Sequence, residues 1–148
     1  EGEYDAVVLA VAGLARLELA DRITAVLDPE VILPAVGQGA LGLECRGDDL
    51  ETIGRLEAIA DSATHLATTA ERAMLSRLQA GCHAPVGVRT GAADGQLWLH
   101  GVVLDPEGTQ RIEARLEADV ATLDAAESLG VAIADELLAA GAADLISG

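Results

Sequence analysis

Aromatic side chains are almost missing from this sequence: there is one Trp (Trp98), one Tyr (Tyr4) and no Phe. Any interior must therefore be packed from Ala, Leu, Val and Ile. The material is ample, because 51% of the 148 residues are apolar. A chain of this length forms about one domain, or one domain and part of another. It is too apolar to stay disordered.

Charge narrows the partners. Nine basic residues face 25 acidic ones, giving a formal net charge of −16. All nine are arginine, and lysine is absent. Such a chain, with no basic run, repels phosphate, which argues against nucleic-acid binding and against a polybasic membrane anchor. The longest apolar run, Ala6–Ala15, ends at Arg16. It falls short of the roughly 18 residues that a transmembrane helix needs. No signal peptide is visible. Cys45 and Cys82 are too few for a disulfide framework, which points to a reducing, cytoplasmic compartment. Acidity without lysine suits the high-salt cytoplasm of a halophile; a high-GC genome that favours arginine codons is the competing reading. The sequence opens Glu-Gly-Glu-Tyr without Met and runs almost at once into a buried-looking segment. A piece of a longer protein is expected.

Residues Ala6–Ala10 read as a strand buried on both faces. A helix follows, with Val11, Leu14 and Leu17 on one face. Asp28-Pro29-Glu30 is a turn, and Pro34–Gly39 a glycine-rich connector. Leu41, Leu43 and Cys45 alternate with Gly42, Glu44 and Arg46, which predicts a strand with Cys45 facing inward. Asp48 and Asp49 introduce a helix carrying Leu50, Ile53 and Leu56. Another helix is predicted from about Ala63 to Ala80, capped by Asp61 or Ser62. Leu66, Ala70, Met74 and Leu78 line its inner face, and Gly81 takes the left-handed position after it. Three strands follow: Val86–Thr90, Leu97–Leu104 and Gln110–Ala118. Asp94-Gly95 marks the first hairpin. In the third strand Ile112, Ala114 and Leu116 face in. A last helix runs from about Asp124 to Ala140, with Asp124 and Glu127 at capping-box spacing and Gly141 at its end. The fold class is therefore α/β fragments followed by an α+β domain, a three-stranded antiparallel sheet with helices on one face. One strand–helix pair and one further strand cannot close a sheet alone, so residues 1–60 read as severed pieces.

Gly37-Gln38-Gly39-Ala40-Leu41-Gly42 matches G-x-G-x-x-G. A dinucleotide site needs a strand before this motif and a helix after it, whereas here a strand is expected to follow. The nucleotide reading is rejected in favour of a connector, with Gln38 able to offer both an amide donor and an acceptor. Cys45, Cys82, His65, His83 and His100 are too widely spaced for a metal site, and none is expected. Cys82 lies on a loop between a helix and the sheet, where functional residues collect. Yet a helix C-terminus disfavours a thiolate, so an activated nucleophile is not implied, and a structural thiol remains open. Arg16 and Arg46 each follow an apolar segment. Each could clamp a carboxylate bidentately or simply sit in solvent.

Taken together, these residues resemble the porphobilinogen deaminase (hydroxymethylbilane synthase) family. The resemblance rests on Tyr4–Ala10 with Ala12–Leu17, on Leu33–Arg46 (LPAVGQGALGLECR), on Ala70-Glu71-Arg72-Ala73, and on Gly81-Cys82-His83-Ala84-Pro85-Val86-Gly87. It implies a transferase of tetrapyrrole and heme biosynthesis that joins four porphobilinogen molecules head to tail, with release of ammonia. It further implies a dipyrromethane cofactor held by a thioether, here at Cys82, where a strong electrophile makes prior thiol activation unnecessary. Each pyrrole carries acetate and propionate. The resemblance assigns Arg16 and Arg46 to binding them, and Gln38, Gly39 and Ala10 to lining the cleft. It divides the chain into the end of α/β domain two (1–35), a returning segment of α/β domain one with a hinge (36–59), and a C-terminal α+β domain that anchors the cofactor (60–148). The family's N-terminal half, with its catalytic aspartate, is not in this sequence. No catalytic residue is expected here, and the chain alone should be inactive. Ala80 and His83 depart from the Gly and Gln usual beside the cysteine. The alternative is a non-catalytic binding or interaction module derived from that enzyme.

Overall fold

The computed structural model describes residues 4–81, 84–93 and 95–146. The chain divides into two units, residues 1–32 and 33–148.

In the first unit, helix α1 spans Val11–Arg16 and a 3-10 turn spans Ala20–Arg22. Ala10 is the N-cap of α1, and its carbonyl accepts from the N–H groups of Gly13 and Leu14 at 3.0 and 3.2 Å. The Asp28 turn forms as expected: its carbonyl takes the Val31 N–H at 2.9 Å, and its side chain takes that of Glu30 at 2.9 Å. The strand expected at Ala6–Ala10 does not form, and Val7, Val8 and Leu9 are exposed. A strand needs a neighbour for its N–H and C=O groups, and the described residues of this unit supply none. No described residue of this unit is buried.

The second unit has a core of its own. Helix α2 spans Leu50–Glu57 and helix α3 spans Ser62–Arg77. Their N-caps, Asp49 and Asp61, accept from the backbone N–H of Thr52 and Thr64 at 3.1 and 2.7 Å. Asp61 rather than Ser62 is thus the cap of α3. Helix α3 ends earlier than expected. The left-handed residue is Gln79 (φ 54°), not Gly81. Ala80 N–H reaches Leu75 O at 3.3 Å and Gln79 N–H reaches Ser76 O at 3.1 Å, the paired closure of a Schellman end.

Three antiparallel strands follow, β1 (Val86–Ala93), β2 (Gln96–Leu104) and β3 (Arg111–Ala118), in the order β1-β2-β3. The turns bear the expected glycines, Gly95 (φ 80°) and Gly108 (φ 69°); Asp94 lies outside the described residues. Register sets Val88 opposite Gly101 and Gly101 opposite Ala114. Leu97, Leu99 and Val103 therefore share the inner face with Val88 and with Ile112, Ala114 and Leu116. Helix α4 (Leu123–Ala139) and the short α5 (Ala142–Ile146) complete the unit. Thr122 caps α4, accepting from Ala125 N–H at 3.2 Å, in place of the expected Asp124. The helix starts one residue earlier, which puts Asp124 in its first turn. Gly141 (φ 100°) follows its end.

Helices cover one face of the sheet, as the fold class requires. A methyl added at Gly101 would stand 2.7 Å from Met74 Sδ of α3 and 3.2 Å from Leu137 Cδ1 of α4. The two helices also touch closely: a methyl at Gly130 would overlap the Ala70 carbonyl and lie 2.8 Å from Ala73 Cβ. The largest fully buried side chains are Met74, Leu99, Ile133, Leu137, Val88 and Val103, so the core is aliphatic. Trp98 lies on the opposite face of the sheet. It packs over Gly91 between two guanidinium groups, with Arg115 at 4.5 Å and Arg89 at 5.5 Å from the ring centroid. No helix among the described residues is long and apolar enough to cross a membrane.

Candidate functional site

The connector expected at Pro34–Gly39 runs beside β1. Val88 N–H donates to Pro34 O at 2.8 Å, and Leu33 Cβ lies so close to Gly87 that a methyl there would stand 2.8 Å from it. Val36 packs against the core. This segment thus occupies the edge of the sheet that β2 leaves unpaired. Chain order places the Cys82 segment immediately before that same strand.

Beyond Val36 the chain turns twice. Gly37 has φ 71° and Gly39 has φ 88°, values that favour glycine. Gln38 N–H reaches Ala35 O at 3.0 Å, and Ala40 N–H reaches Gly37 O at 3.2 Å. Gly37 N–H donates to Glu71 Oε2 of α3 at 2.7 Å. The other oxygen of Glu71 accepts from the hydroxyl of Thr90 on β1. Among residues 37–40 this leaves the Gly39 N–H without a hydrogen-bond partner among the described residues. Gln38 and Gly39 are exposed.

Arg46 lies in the same unit, 82% exposed, with its guanidinium 3.5 Å from Asp49. Asp49 is held below the ordinary carboxylate value of 3.8 mainly by the Thr52 N–H and hydroxyl, with Arg46 contributing less. Ala10 and Arg16 sit at the two ends of α1 in the first unit, both exposed. Cys82 and His83 lie outside the described residues. Cys45 is an exposed free thiol rather than a buried one. The strand expected at Leu41–Arg46 is absent, and Leu41 is 88% exposed. None of the three described strands takes it as a partner, and β1 already has the connector and β2 at its sides. The G-x-G-x-x-G motif is also not followed by a helix, since α2 begins only at Leu50. The motif itself therefore opens no helix whose N-terminus could take a pyrophosphate.

Among the described residues no three His, Cys, Asp or Glu side chains gather as a metal site. The donors of the loop are instead an open backbone N–H and a side-chain amide. Both can donate to carboxylate oxygens. Glu71 enters the sequence reading only within the run Ala70–Ala73, with no role of its own, because its partners Gly37 and Thr90 lie 34 and 19 residues away.

Two family models match the chain. Residues 65–139 match "Porphobilinogen deaminase, C-terminal domain", and residues 1–54 match "Porphobilinogen deaminase, dipyromethane cofactor binding domain". The first match alone covers half of the chain and includes α3 from His65 onward, the whole sheet and α4. The second includes the Gly37–Gly39 loop, Arg16 and Arg46. This chain belongs to the porphobilinogen deaminase family, transferases of porphyrin biosynthesis that carry a dipyrromethane cofactor.

Proposed function

We propose that this chain is the C-terminal part of a hydroxymethylbilane synthase. In this reading the complete enzyme condenses four porphobilinogen molecules head to tail and releases ammonia. Its dipyrromethane is joined by a thioether to Cys82. When bound, that group supplies the covalent anchor for the growing pyrrole chain. The residues present here bind and orient. Arg16 and Arg46 pair with acetate and propionate groups, as guanidinium forks pair with carboxylates. Gln38 and Gly39 offer an amide and a backbone N–H, and Ala10 lines the cleft. Residues 1–35 close α/β domain two, 36–59 return through domain one, and 60–148 form the cofactor-anchoring domain.

The observation that carries the reading is the tether between connector and sheet. The loop bearing Gln38 and Gly39 is bound along β1, the strand that the Cys82 segment leads into. The catalytic aspartate belongs to a missing N-terminal half, so the chain alone is inactive. The exposed Val7, Val8 and Leu9 support a missing partner segment, because side chains of this kind are normally covered. The setting is a high-salt cytoplasm, on the strength of the acidic, lysine-free composition.

The test is porphobilinogen consumption with ammonia release. Expected are no turnover by this chain, turnover once the N-terminal half is supplied, and a lower kcat/KM in Arg46→Ala. Absence of turnover from the complete protein would defeat the proposal. The non-catalytic module is favoured only by the self-contained core of residues 33–148. Cys82 that stays unmodified in the complete protein would support it.

A further inference from the structure

We propose that Glu71 is a positioning residue, which holds the Gly37–Gly39 loop in the form that receives a carboxylate of the pyrrole cofactor. The inference rests on the reading of Gln38 and Gly39 as cofactor-lining residues. It goes further by assigning a role to a side chain that never meets the ligand.

Two donors converge on one carboxylate. Gly37 N–H takes Oε2 at 2.7 Å and the Thr90 hydroxyl takes Oε1, so one side chain of α3 binds the connector and β1 together. The partners lie 34 and 19 residues from Glu71 in sequence, so the clamp exists only in the folded unit. Its effect on the loop follows from counting donors. The N–H groups of Gly37, Gln38 and Ala40 are taken by Glu71, Ala35 and Gly37. Gly39 N–H is then left without a partner among the described residues, in an exposed position next in sequence to Gln38. Two left-handed glycines make the loop easy to re-shape, since glycine populates both signs of φ. Without Glu71, the Gly37 N–H would compete for the same ligand oxygen and the double turn would lose its outer anchor. A charged acceptor makes the anchor stronger than a neutral pair. Glutamine is the informative replacement. Its carbonyl can accept from Gly37 while its NH2 donates to the Thr90 oxygen.

The test begins with amide exchange of Gly37 in this chain. In Glu71→Ala it should speed up about ten-fold, as loss of a hydrogen bond to a charged group implies. Exchange in β2 should be unchanged. Glu71→Gln should restore protection. The second arm measures, by intact mass, the fraction of the full-length protein that acquires dipyrromethane. That fraction should drop in Glu71→Ala and recover in Glu71→Gln. If Glu71→Ala does not fold, Thr90→Val removes one anchor without touching the helix and should shift both readings the same way. Unchanged Gly37 exchange, or faster exchange with undiminished loading, would overturn the role of Glu71. A wild-type protein that never acquires the group would instead overturn the functional reading beneath it, whatever Gly37 exchange shows.

Discussion

At the scale of single residues, carboxylates do most of the local work in this acidic chain, and they do it as acceptors. Asp105, only 8% exposed, takes the Gln110 N–H at 2.7 Å and the Thr109 hydroxyl at 2.6 Å. The Gln110 N–H, then the Thr109 hydroxyl, hold it below the ordinary 3.8. Glu113 takes Arg111 at 2.7 Å and His100 at 3.1 Å, and Arg111 chiefly holds it below 4.5. A carboxylate depressed on folding stabilises above its unfolded value and loses that contribution as pH falls through its lower folded value. In molar salt, where general repulsion is screened, the melting temperature should therefore decline below about pH 4. Asp105→Asn should melt lower than wild type at pH 7, and the two curves should converge at acid pH. Parallel curves would show that the Asp105 charge does not stabilise the fold. Thr122→Ala should cost about 1 kcal/mol, read by denaturant unfolding, because Thr122 caps α4. That cap was not legible in sequence, where Asp124 and Glu127 showed the stronger pattern; a hydroxyl two residues upstream gives no periodic signal. The Asp49 and Asp61 caps were legible to within one residue, Asp48 or Asp49 and Asp61 or Ser62, because each pair directly precedes an amphipathic run. Glu71 was not, since its partners are distant in sequence.

Among the elements, legibility followed the availability of neighbours. The strands β1, β2 and β3 alternate and pair with one another, so their pattern and their environment agree. Ala6–Ala10 and Leu41–Arg46 carry strand-like patterns too. A strand is completed by what lies beside it, however, and neither has a described neighbour in its unit. The short α5 was missed because five residues are too few to show a period. Helices α3 and α4 pack closely at Gly130. Ala is normally the better helix residue, by up to about 1 kcal/mol. Here its methyl would overlap the Ala70 carbonyl, and backbone cannot swing aside as a side chain does. Gly130→Ala should destabilise by about 1–3 kcal/mol, the usual cost of overpacking, measured as a lower unfolding midpoint at unchanged slope. A stabilised variant would show that the helices separate easily.

For the molecule as a whole, aromatic poverty and negative charge have separate consequences. The core is aliphatic, and the one Trp is spent on the outer face of the sheet with Arg89 and Arg115. The charge of −16 opposes compaction and repels any anionic ligand. Molar salt would reduce the Debye length to about 3 Å and leave the proposed recognition to contact between arginines and carboxylates. The melting temperature of the chain should accordingly rise steeply from low to molar salt; indifference to salt would count against a high-salt setting. The proposed thioether makes Cys82 the attachment point of the dipyrromethane. Intact-mass measurement of the complete enzyme, isolated from cells that make porphobilinogen, beside its Cys82→Ser variant decides this. The wild type should carry the added mass of two linked pyrroles and the variant none. A Cys82→Ser protein that still carries that mass would rule out the attachment at Cys82.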